Sequence, residues 1–321
     1  MNKSLNSLKE IFEQYLESHR FKKAPAALYE PNNYILDLGG KRLRPTLVLM
    51  ACDLFGGVIE KALPAALTIE FFHSFSLIHD DIIDEAEIRR GQPTVHKKYN
   101  TNDAILSGDV LLIYAYKYLT TYDASLQKQL ITDLTETAIE VCEGQSMDTS
   151  FESRNDVLEA EYIEMIRLKT AVLLAASLRM GAIIGGAGKE ETDLLYAYGE
   201  NLGVAFQIQD DILDTFGGDL VGKQIGGDIL QNKKTLLLIR AQEMSKKNND
   251  TSLSTWLNKS QFNSKEKINA VKQLFDQYEV LKYAEAKRDS YVQKAITALR
   301  SINQPAEPLE ALIDALVMRT Y

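Results

Sequence analysis

Two copies of one short acidic motif decide the fold: IHDDIID (Ile78–Asp84) and IQDDILD (Ile208–Asp214). Each copy closes an apolar helical run, Leu63–Ile78 in the first case and Leu194–Leu213 in the second. Helices that are apolar nearly all round belong in the interior of a large bundle. The first and last Asp of each motif are four residues apart, so they stack on one helix face. The motifs therefore predict two facing helices whose carboxylates ring the mouth of one deep cavity.

The rest of the chain also has helical periodicity. Apolar residues recur at three- and four-residue spacing, only seven prolines and eighteen glycines interrupt them, and strand signals are scarce. The sequence predicts an all-α fold with helices over 2–19, 25–37, 42–55, 61–85, 101–121, 124–150, 155–180, 190–216, 231–248, 264–300 and 306–319. No Pro/Gly/Ser-rich linker divides the chain, so we expect a single domain over residues 1–321. KKNNDTSLS (Lys246–Ser254) is its most loop-like stretch.

The composition is that of a soluble globular protein. The chain has 321 residues, of which 45% are hydrophobic and 25% charged, and its net charge is −9. A negative chain does not attract nucleic acid or an acidic membrane, so we expect neither as a partner. The two cysteines, Cys52 and Cys142, lack metal-ligand spacing, and no disulfide framework is expected.

The sequence also predicts a cytoplasmic protein without a transmembrane segment. No apolar run reaches the roughly 18–20 residues that span a bilayer. The N-terminus, MNKSLNSLKEIFEQYL, is amphipathic and lacks the apolar core of a secretory signal.

The motif carboxylates need a counter-charge. Gathered at one rim, they would repel one another and raise their pKa values, a cost that divalent cations remove. Mg²⁺ seeks oxygen ligands and commonly binds one or two carboxylates together with substrate phosphates. The alternative is that each DDxxD is a solvated helix end, but two copies that each close an apolar helix favour a metal site. The six residues are Asp80, Asp81, Asp84, Asp210, Asp211 and Asp214.

Basic clusters alternate with the acidic motifs along the chain. GGKRLRP (Gly39–Pro45) places three cations after a glycine pair, at a helix start that can hold an anion. RRGQPT follows the first acidic motif, and GKQIGGDILQNKKT (Gly222–Thr235) follows the second. RLKTA (Arg167–Ala171) places a lysine and a threonine inside a helix. Together these clusters favour two phosphorylated ligands, one bound through metal and one bound directly by Arg and Lys.

The set GGKRLRP, DDIIDEAEIRRG, RLKTA, FQIQDDILD and GKQIGGDILQNKKT resembles the trans-isoprenyl diphosphate synthases, also called polyprenyl synthetases. The resemblance covers the chain from about residue 39 to 235, in the order of the family. It implies the all-α isoprenoid synthase bundle around a deep central cavity, usually as a homodimer. It also implies Mg²⁺ at both aspartate motifs, with three ions when substrate is bound. The implied partners are isopentenyl diphosphate and an allylic diphosphate.

The resemblance also assigns roles to single residues. It implies that Asp80, Asp84 and Asp210 bind Mg²⁺ directly, with Asp81, Asp211 and Asp214 in support. The allylic diphosphate would be held by Arg89, Lys169, Lys223 and Lys233. Isopentenyl diphosphate would be held by Lys41, Arg44, His73 and Arg90. Thr170 and Gln207 would lie beside the reacting carbons, and Arg319 is a possible equivalent of the basic tail of the family. The catalytic set is Asp80, Asp84, Lys169, Thr170, Gln207 and Asp210.

The implied reaction is head-to-tail (1′-4) prenyl transfer with release of pyrophosphate, and the residues before Asp80 would limit the product length. Phe75 lies five positions up-chain, about 7.5 Å along the helix axis. Ser76 is small and lies on the Asp80 face. An aromatic residue at this position, in a motif without an insertion, resembles short-chain geranylgeranyl diphosphate synthases. We expect a C20 product, with C15 or a longer product as the alternative.

Two other functions are compatible with an acidic motif in an all-α fold. A terpene cyclase shares the fold but typically has one aspartate-rich motif and needs no second diphosphate pocket. A non-catalytic subunit of a heteromeric synthase usually loses aspartates, whereas all six are present here. A histidine on an apolar helix is more often a core residue than a ligand, but His73 lies two turns before Asp80 on nearly the same face. His79 and His96 are interpreted as structural.

Overall fold

The protein is almost entirely helical. The computed structural model describes residues 3–217 and 226–317. Within those ranges, β1 (Ile88–Arg89) and β2 (Gln92–Pro93) form a short antiparallel hairpin. The helices are α1 (Leu5–Ser18), α2 (Ala26–Asp37), α3 (Leu43–Leu54), α4 (Ile59–Ile83), α5 (Val95–Lys98), α6 (Thr101–Leu119), α7 (Ala124–Glu152), α8 (Glu159–Ile166), α9 (Val172–Gly185), α10 (Lys189–Phe216), α11 (Gly227–Gln231), α12 (Leu236–Lys247), α13 (Ser252–Leu257), α14 (Ser264–Gln277), α15 (Val280–Arg300) and α16 (Glu307–Leu316). The predicted all-α class is confirmed.

The chain forms two compact units. Unit 1 comprises residues 1–138, 173–196 and 302–308, and unit 2 comprises residues 139–172, 197–301 and 309–321. The first acidic motif belongs to unit 1 and the second to unit 2. The expectation of one domain over residues 1–321 stays a prediction.

Helix α4, which ends in the first acidic motif, is deeply buried in unit 1. Its residues 65–72 are all buried, including the aromatic rings of Phe71 and Phe72. α4 packs against α3 and α6. The Thr68 hydroxyl donates to the backbone carbonyl of Ala115 in α6 (2.8 Å), which satisfies a polar group inside the core. Apolar packing on most sides therefore fixes the helix that ends at the first acidic motif.

Unit 2 has its own apolar core. Side chains from α8, α10, α12, α14 and α15 meet in it, among them Tyr162, Ile208, Ile212, Leu237 and Phe275. Ile208 and Ile212 flank the adjacent aspartates of the second motif in sequence, so burial of these isoleucines fixes the end of α10. The Arg288 guanidinium donates to the buried side-chain oxygen of Gln209 (2.6 Å) and ties α15 to the same turn.

The RLKTA segment interrupts its helix with a wide turn. Residues Arg167–Ala171 form a π-helix between α8 and α9, and the Val172 N–H donates to the Arg167 carbonyl. One-turn π-helices are rare and occur frequently at functional sites. The predicted continuous helix over 155–180 is therefore wrong in two respects, because α8 begins at Glu159 and the π-helix breaks the regular period.

The predicted helix over 264–300 is also wrong, because it is two helices. α14 ends at Gln277, and Glu279 has a φ of +51°, in the left-handed region that interrupts a helix. No glycine or proline marks the break in the sequence. The Tyr278 hydroxyl donates to the Asp250 carboxylate (2.5 Å), a long-range contact at the break that sequence periodicity does not contain.

Three short helices and the hairpin were not predicted. α5, α11 and α13 each have six residues or fewer, and α13 begins within the stretch Lys246–Ser254 that was predicted to be a loop. The hairpin turns at Arg90 and Gly91, which both have positive φ (+53° and +75°). This is the geometry of the two-residue turn that matches strand twist.

One helical stretch, Glu159–Gly185, is long and apolar enough to cross a membrane by length and composition alone. The sequence prediction expected no such stretch. Its most apolar window is 67% buried inside the protein, as in the core helix of a soluble protein. It is therefore weak evidence for a membrane span.

Candidate active site

The first acidic motif has one aspartate fixed inside the protein. The Asp81 carboxylate is buried and accepts two hydrogen bonds from Arg89, from Nε (2.8 Å) and Nη2 (2.7 Å). This bidentate pair is the strong form of an ion pair. Asp80 is half-buried, and Asp84, which follows the last residue of α4, is exposed. Arg89, predicted to hold the allylic diphosphate, is therefore also the residue that orients the middle aspartate of the motif.

The second motif repeats this arrangement with neutral donors. Asp211 is buried, and its carboxylate accepts a hydrogen bond from the Tyr162 hydroxyl and another from Gln207 Nε2 (3.1 Å). Burial, with a smaller contribution from the Asp228 carboxylate, raises the pKa of Asp211 to about 7. Lys233 opposes this shift. Asp210, which directly precedes Asp211 on the helix, is half-buried.

Asp214 joins the second motif to the segment that follows it. Its backbone carbonyl accepts from the Gly226 N–H (2.7 Å), and its Oδ2 accepts from the Asp228 N–H (3.0 Å). Gly226 has a φ of +81°, which a side chain would strain. The chain is thereby held close to the motif, and it carries Asp228 and Lys233 into the electrostatic environment of Asp211.

The π-helix brings Lys169 and Thr170 to the second motif. Lys169 Nζ donates to Asp148 Oδ2 (2.6 Å), and Thr170 Oγ1 donates to Gln207 Oε1 (3.3 Å). Because Gln207 also bonds Asp211, one hydrogen-bonded chain links the π-helix to the motif.

Two glycines let the π-helix fit between its neighbours. A Cβ at Gly144 of α7 would overlap the backbone nitrogen of Lys169, and a Cβ at Gly203 of α10 would lie 2.6 Å from the Cα of Ala171. The backbones therefore approach as closely as glycine allows, which fixes the position of Lys169.

These residues of unit 2 line one small cavity. It has a volume of about 70 Å³, and its walls include Asp148, Lys169, Thr170, Gln207 and Asp211. A wider, open depression of about 550 Å³ lies around Asn155, Asn249 and Asn258 and contains none of the predicted site residues.

Three of the predicted isopentenyl diphosphate residues, Arg44, His73 and Arg90, form a basic cluster in unit 1. Arg44 Nη1 lies 3.3 Å from His73 Nε2. Because a guanidinium only donates, Nε2 accepts and the imidazole is neutral. Burial and the surrounding arginines, Arg44 first, hold the pKa of His73 well below its usual range. The Arg90 guanidinium donates to the Gly39 carbonyl and lies over Gly40, where a Cβ would come within 2.8 Å of it.

One buried acid balances this cluster only in part. Glu70 accepts a hydrogen bond from Arg42 Nη1, and the exposed fractions of the two side chains are 5% and 6%. Arg44 Nε is buried and has no hydrogen-bond partner among the described residues. Burial lowers the pKa of Arg44 and of Arg90, which means that the site favours an added negative charge. The cluster therefore has the chemistry of an anion-binding site.

The carboxylates of the two motifs do not form a closed metal cage. They suit a metal ion that also has ligands from a bound substrate. Within residues 3–217 and 226–317, no group of three or more His, Cys, Asp or Glu side chains could hold a metal ion alone. Mg²⁺ fits an open set of this kind, because it keeps water or phosphate oxygens as most of its ligands.

The remaining predicted site residues differ in exposure, and two of them lie outside the described residues. Lys41 and Lys233 are exposed, whereas Lys223 and Arg319 lie outside the described residues. Phe75 is half-buried, with its ring between those of Phe72 and His79 at centroid distances of 5.7 and 4.7 Å. The Ser76 hydroxyl donates to the His73 carbonyl (2.9 Å).

Sequence reasoning missed three residues of this region. Glu70 stands in the apolar run TIEFF, and an acid in such a run signals a buried partner. Tyr162 and Asp148 lie 49 and 21 residues from the groups they contact. No sequence signal pointed to Tyr162 or Asp148.

Comparison with known proteins decides the family. A sequence model described as Polyprenyl synthetase matches residues 25–275. The chain belongs to the polyprenyl synthetase family. This polyprenyl synthetase is a trans-prenyltransferase, which condenses an allylic diphosphate with isopentenyl diphosphate head to tail and releases pyrophosphate.

Individual relatives agree with this assignment. The chain is similar to a geranylgeranyl diphosphate synthase of Sulfolobus acidocaldarius, with 38% identity over 99% of this chain and 97% of that one. It is also similar to a geranylfarnesyl diphosphate synthase of Natronomonas pharaonis, with 42% identity over 68% of this chain and 70% of that one. A solved geranylgeranyl pyrophosphate synthase is similar in structure, with a TM-score of 0.94, 43% identity and coverage of 99% and 100%.

Substitution of the buried acid tests the basic cluster. Glu70→Gln should lower the free energy of unfolding by roughly 3 kcal/mol, because it leaves the Arg42 guanidinium buried without its counter-charge. Urea denaturation followed by circular dichroism measures the change. The matched control, Glu60→Gln, lies exposed in the first turn of the same helix and should cost no more than about 1 kcal/mol. Equal losses in the two variants would contradict the buried pair.

Proposed function

We propose that this polyprenyl synthetase is a magnesium-dependent geranylgeranyl diphosphate synthase. The observation that carries the proposal is the pairing of two Asp-Asp-x-x-Asp motifs with an undercompensated arginine cluster. In each motif the middle aspartate is held by protein donors, which supports metal-binding roles for Asp80, Asp84, Asp210 and Asp214. Magnesium, when bound, would neutralise the allylic diphosphate and make pyrophosphate a better leaving group.

The basic cluster supports a role in holding isopentenyl diphosphate. Arg44 and Arg90 are arginines, which bind phosphate through several directed hydrogen bonds. The neutral imidazole of His73 adds no charge and accepts from Arg44, so it orients that guanidinium toward an anion. Lys41 extends the same stretch of chain and would supply a further cation.

Lys169, Lys233 and Arg89 would stabilise the charge that develops on the departing pyrophosphate. Preorganised cations at the place where charge develops are usually the largest contribution to catalysis. Lys169 is already oriented by Asp148 and by the π-helix backbone. Lys223 would join this set, by resemblance to the family.

Thr170 and Gln207 would act on the other half of the reaction. Their side-chain oxygens are dipoles that can stabilise an allylic cation without trapping it as strong nucleophiles would. The carbon–carbon bond then forms from the double bond of isopentenyl diphosphate, and the proton lost from that substrate passes to pyrophosphate. The apolar residues of α4 and α10 would exclude water, which would otherwise capture the cation.

The proposed product is C20, and Phe75 is the proposed stop. The ring contacts those of Phe72 and His79, which supports a fixed position for it in the helix that leads to the first motif. The similarity to both geranylgeranyl and geranylfarnesyl synthases makes C25 the second candidate product.

We further propose a cytoplasmic homodimer of single-domain chains, with three magnesium ions bound per active site in the presence of substrate. Leu106 and Ile113 lie seven residues apart on α6, with exposed fractions of 56% and 64%. Exposed apolar residues on one helix face suit a contact with a second copy. Sedimentation equilibrium should give the mass of two chains.

The aspartate motifs are tested by measuring prenyl transfer from farnesyl diphosphate to isopentenyl diphosphate. Asp80→Asn and Asp210→Asn should each lower kcat at saturating Mg²⁺ by at least about 100-fold, because each removes an electrostatic contact to the leaving group. The control, Asp193→Asn, lies on α10 and pairs with the exposed side chain of Lys189 (2.7 Å), so its rate should stay unchanged. Full activity of either motif variant would rule out the proposed metal role.

Phe75→Ala tests the chain-length proposal. Removing the ring opens space below the first motif, so chromatography of the dephosphorylated products should show longer chains than the wild-type protein makes. The overall rate of isopentenyl incorporation should persist. An unchanged product length would remove Phe75 as the stop.

A further inference from the structure

His79 contacts the proposed chain-length residue directly. It lies one helical turn after Phe75 on α4, and the two rings meet edge to face with centroids 4.7 Å apart. His79 directly precedes Asp80 and is the second residue of the motif IHDDIID, where the sequence alone predicts a structural role for it. The Phe75 ring also contacts that of Phe72, with centroids 5.7 Å apart.

The imidazole is itself held by α6. His79 Nε2 lies 3.3 Å from the backbone carbonyl of Ile105. A carbonyl only accepts, so His79 donates from Nε2, which also lies 3.7 Å from the Asp109 carboxylate. The ring packs directly on the backbone of Gly108, where a Cβ would overlap Nε2 and Cδ2. The absence of a side chain at Gly108 is therefore what leaves room for the imidazole between α4 and α6.

A side chain that limits product length has to keep its position when the growing prenyl chain reaches it. Each condensation adds an apolar five-carbon unit, and burying that unit favours any motion of a side chain that makes room for it. A phenylalanine turns about two side-chain bonds, and Phe75 is only half-buried. It holds its place only if neighbouring groups block the alternative rotamers.

We propose that His79 is a positioning residue for product length, which fixes the Phe75 ring by bracing it against α6 at Gly108 and Ile105. The proposal rests on the proposed role of Phe75 as the stop. His79 does not touch the reacting atoms, so its removal should change where chain growth ends and leave the condensation itself intact.

His79→Ala tests the proposal with farnesyl diphosphate and isopentenyl diphosphate as substrates. The fraction of product longer than that of the wild-type protein should rise about tenfold, which is the order of discrimination that small changes of pocket shape produce. The rate of isopentenyl incorporation should stay close to the wild-type rate. His96→Ala is the matched control, because it removes the same ring from the short helix α5 and should leave the product length unchanged.

Gly108→Ala tests the same contact between His79 and α6 by changing the α6 side of it. The added methyl group would displace the imidazole, so products should lengthen although His79 is present. In the double variant the clash disappears with the ring, so its products should match those of His79→Ala alone, and its thermal stability should recover relative to Gly108→Ala.

Two results would overturn the proposal: an active His79→Ala protein with wild-type products, or additive effects of the two substitutions. A wild-type protein that incorporates no isopentenyl diphosphate would refute the proposed function instead, and the proposed brace with it.

Discussion

The structure depends on the repulsion between like charges and on what offsets it. Two apolar helices each end in three carboxylates within five residues, and such groups destabilise one another unless counter-charges are near. In each motif the protein supplies donors for the middle aspartate, through Arg89 in one unit and through Tyr162 and Gln207 in the other. The first and last aspartates of each motif are then oriented by a fixed helix end. In the proposed function, divalent cations that bind together with a phosphorylated substrate would neutralise their remaining charge.

The basic cluster has an excess of positive charge, which complements the negative charge of the two motifs. Arg42 is matched by Glu70, but Arg44 is desolvated and keeps a buried donor without a partner among the described residues. A cluster of this kind is stabilised by an anion, and a diphosphate can satisfy several guanidinium groups at once. Substrate binding would therefore complete the charge balance of both regions.

Much of this was predictable, because the relevant signals are local. Helical period, the duplicated acids and the basic stretches all lie within short windows, so the all-α class and the main helices followed from the sequence. The failures share a cause, which is that long-range contacts decided the local structure. The break at Glu279 has no glycine or proline, and the turn at Arg90 puts a non-glycine residue at positive φ. The π-helix at Lys169 is set by the close approach of Gly144 and Gly203, far away in sequence. For the same reason the contacts of Tyr162, Asp148 and His79 became visible only in the folded chain.

The central claim is that the aspartate motifs bind an allylic diphosphate through magnesium. Isothermal titration of the wild-type protein with an unreactive thio-analogue of an allylic diphosphate tests it most directly, with Mg²⁺ present and after its removal by EDTA. The account predicts tight binding with uptake of Mg²⁺ in the first case and weak binding in the second. Equal affinity under both conditions, with no uptake of Mg²⁺, would contradict it.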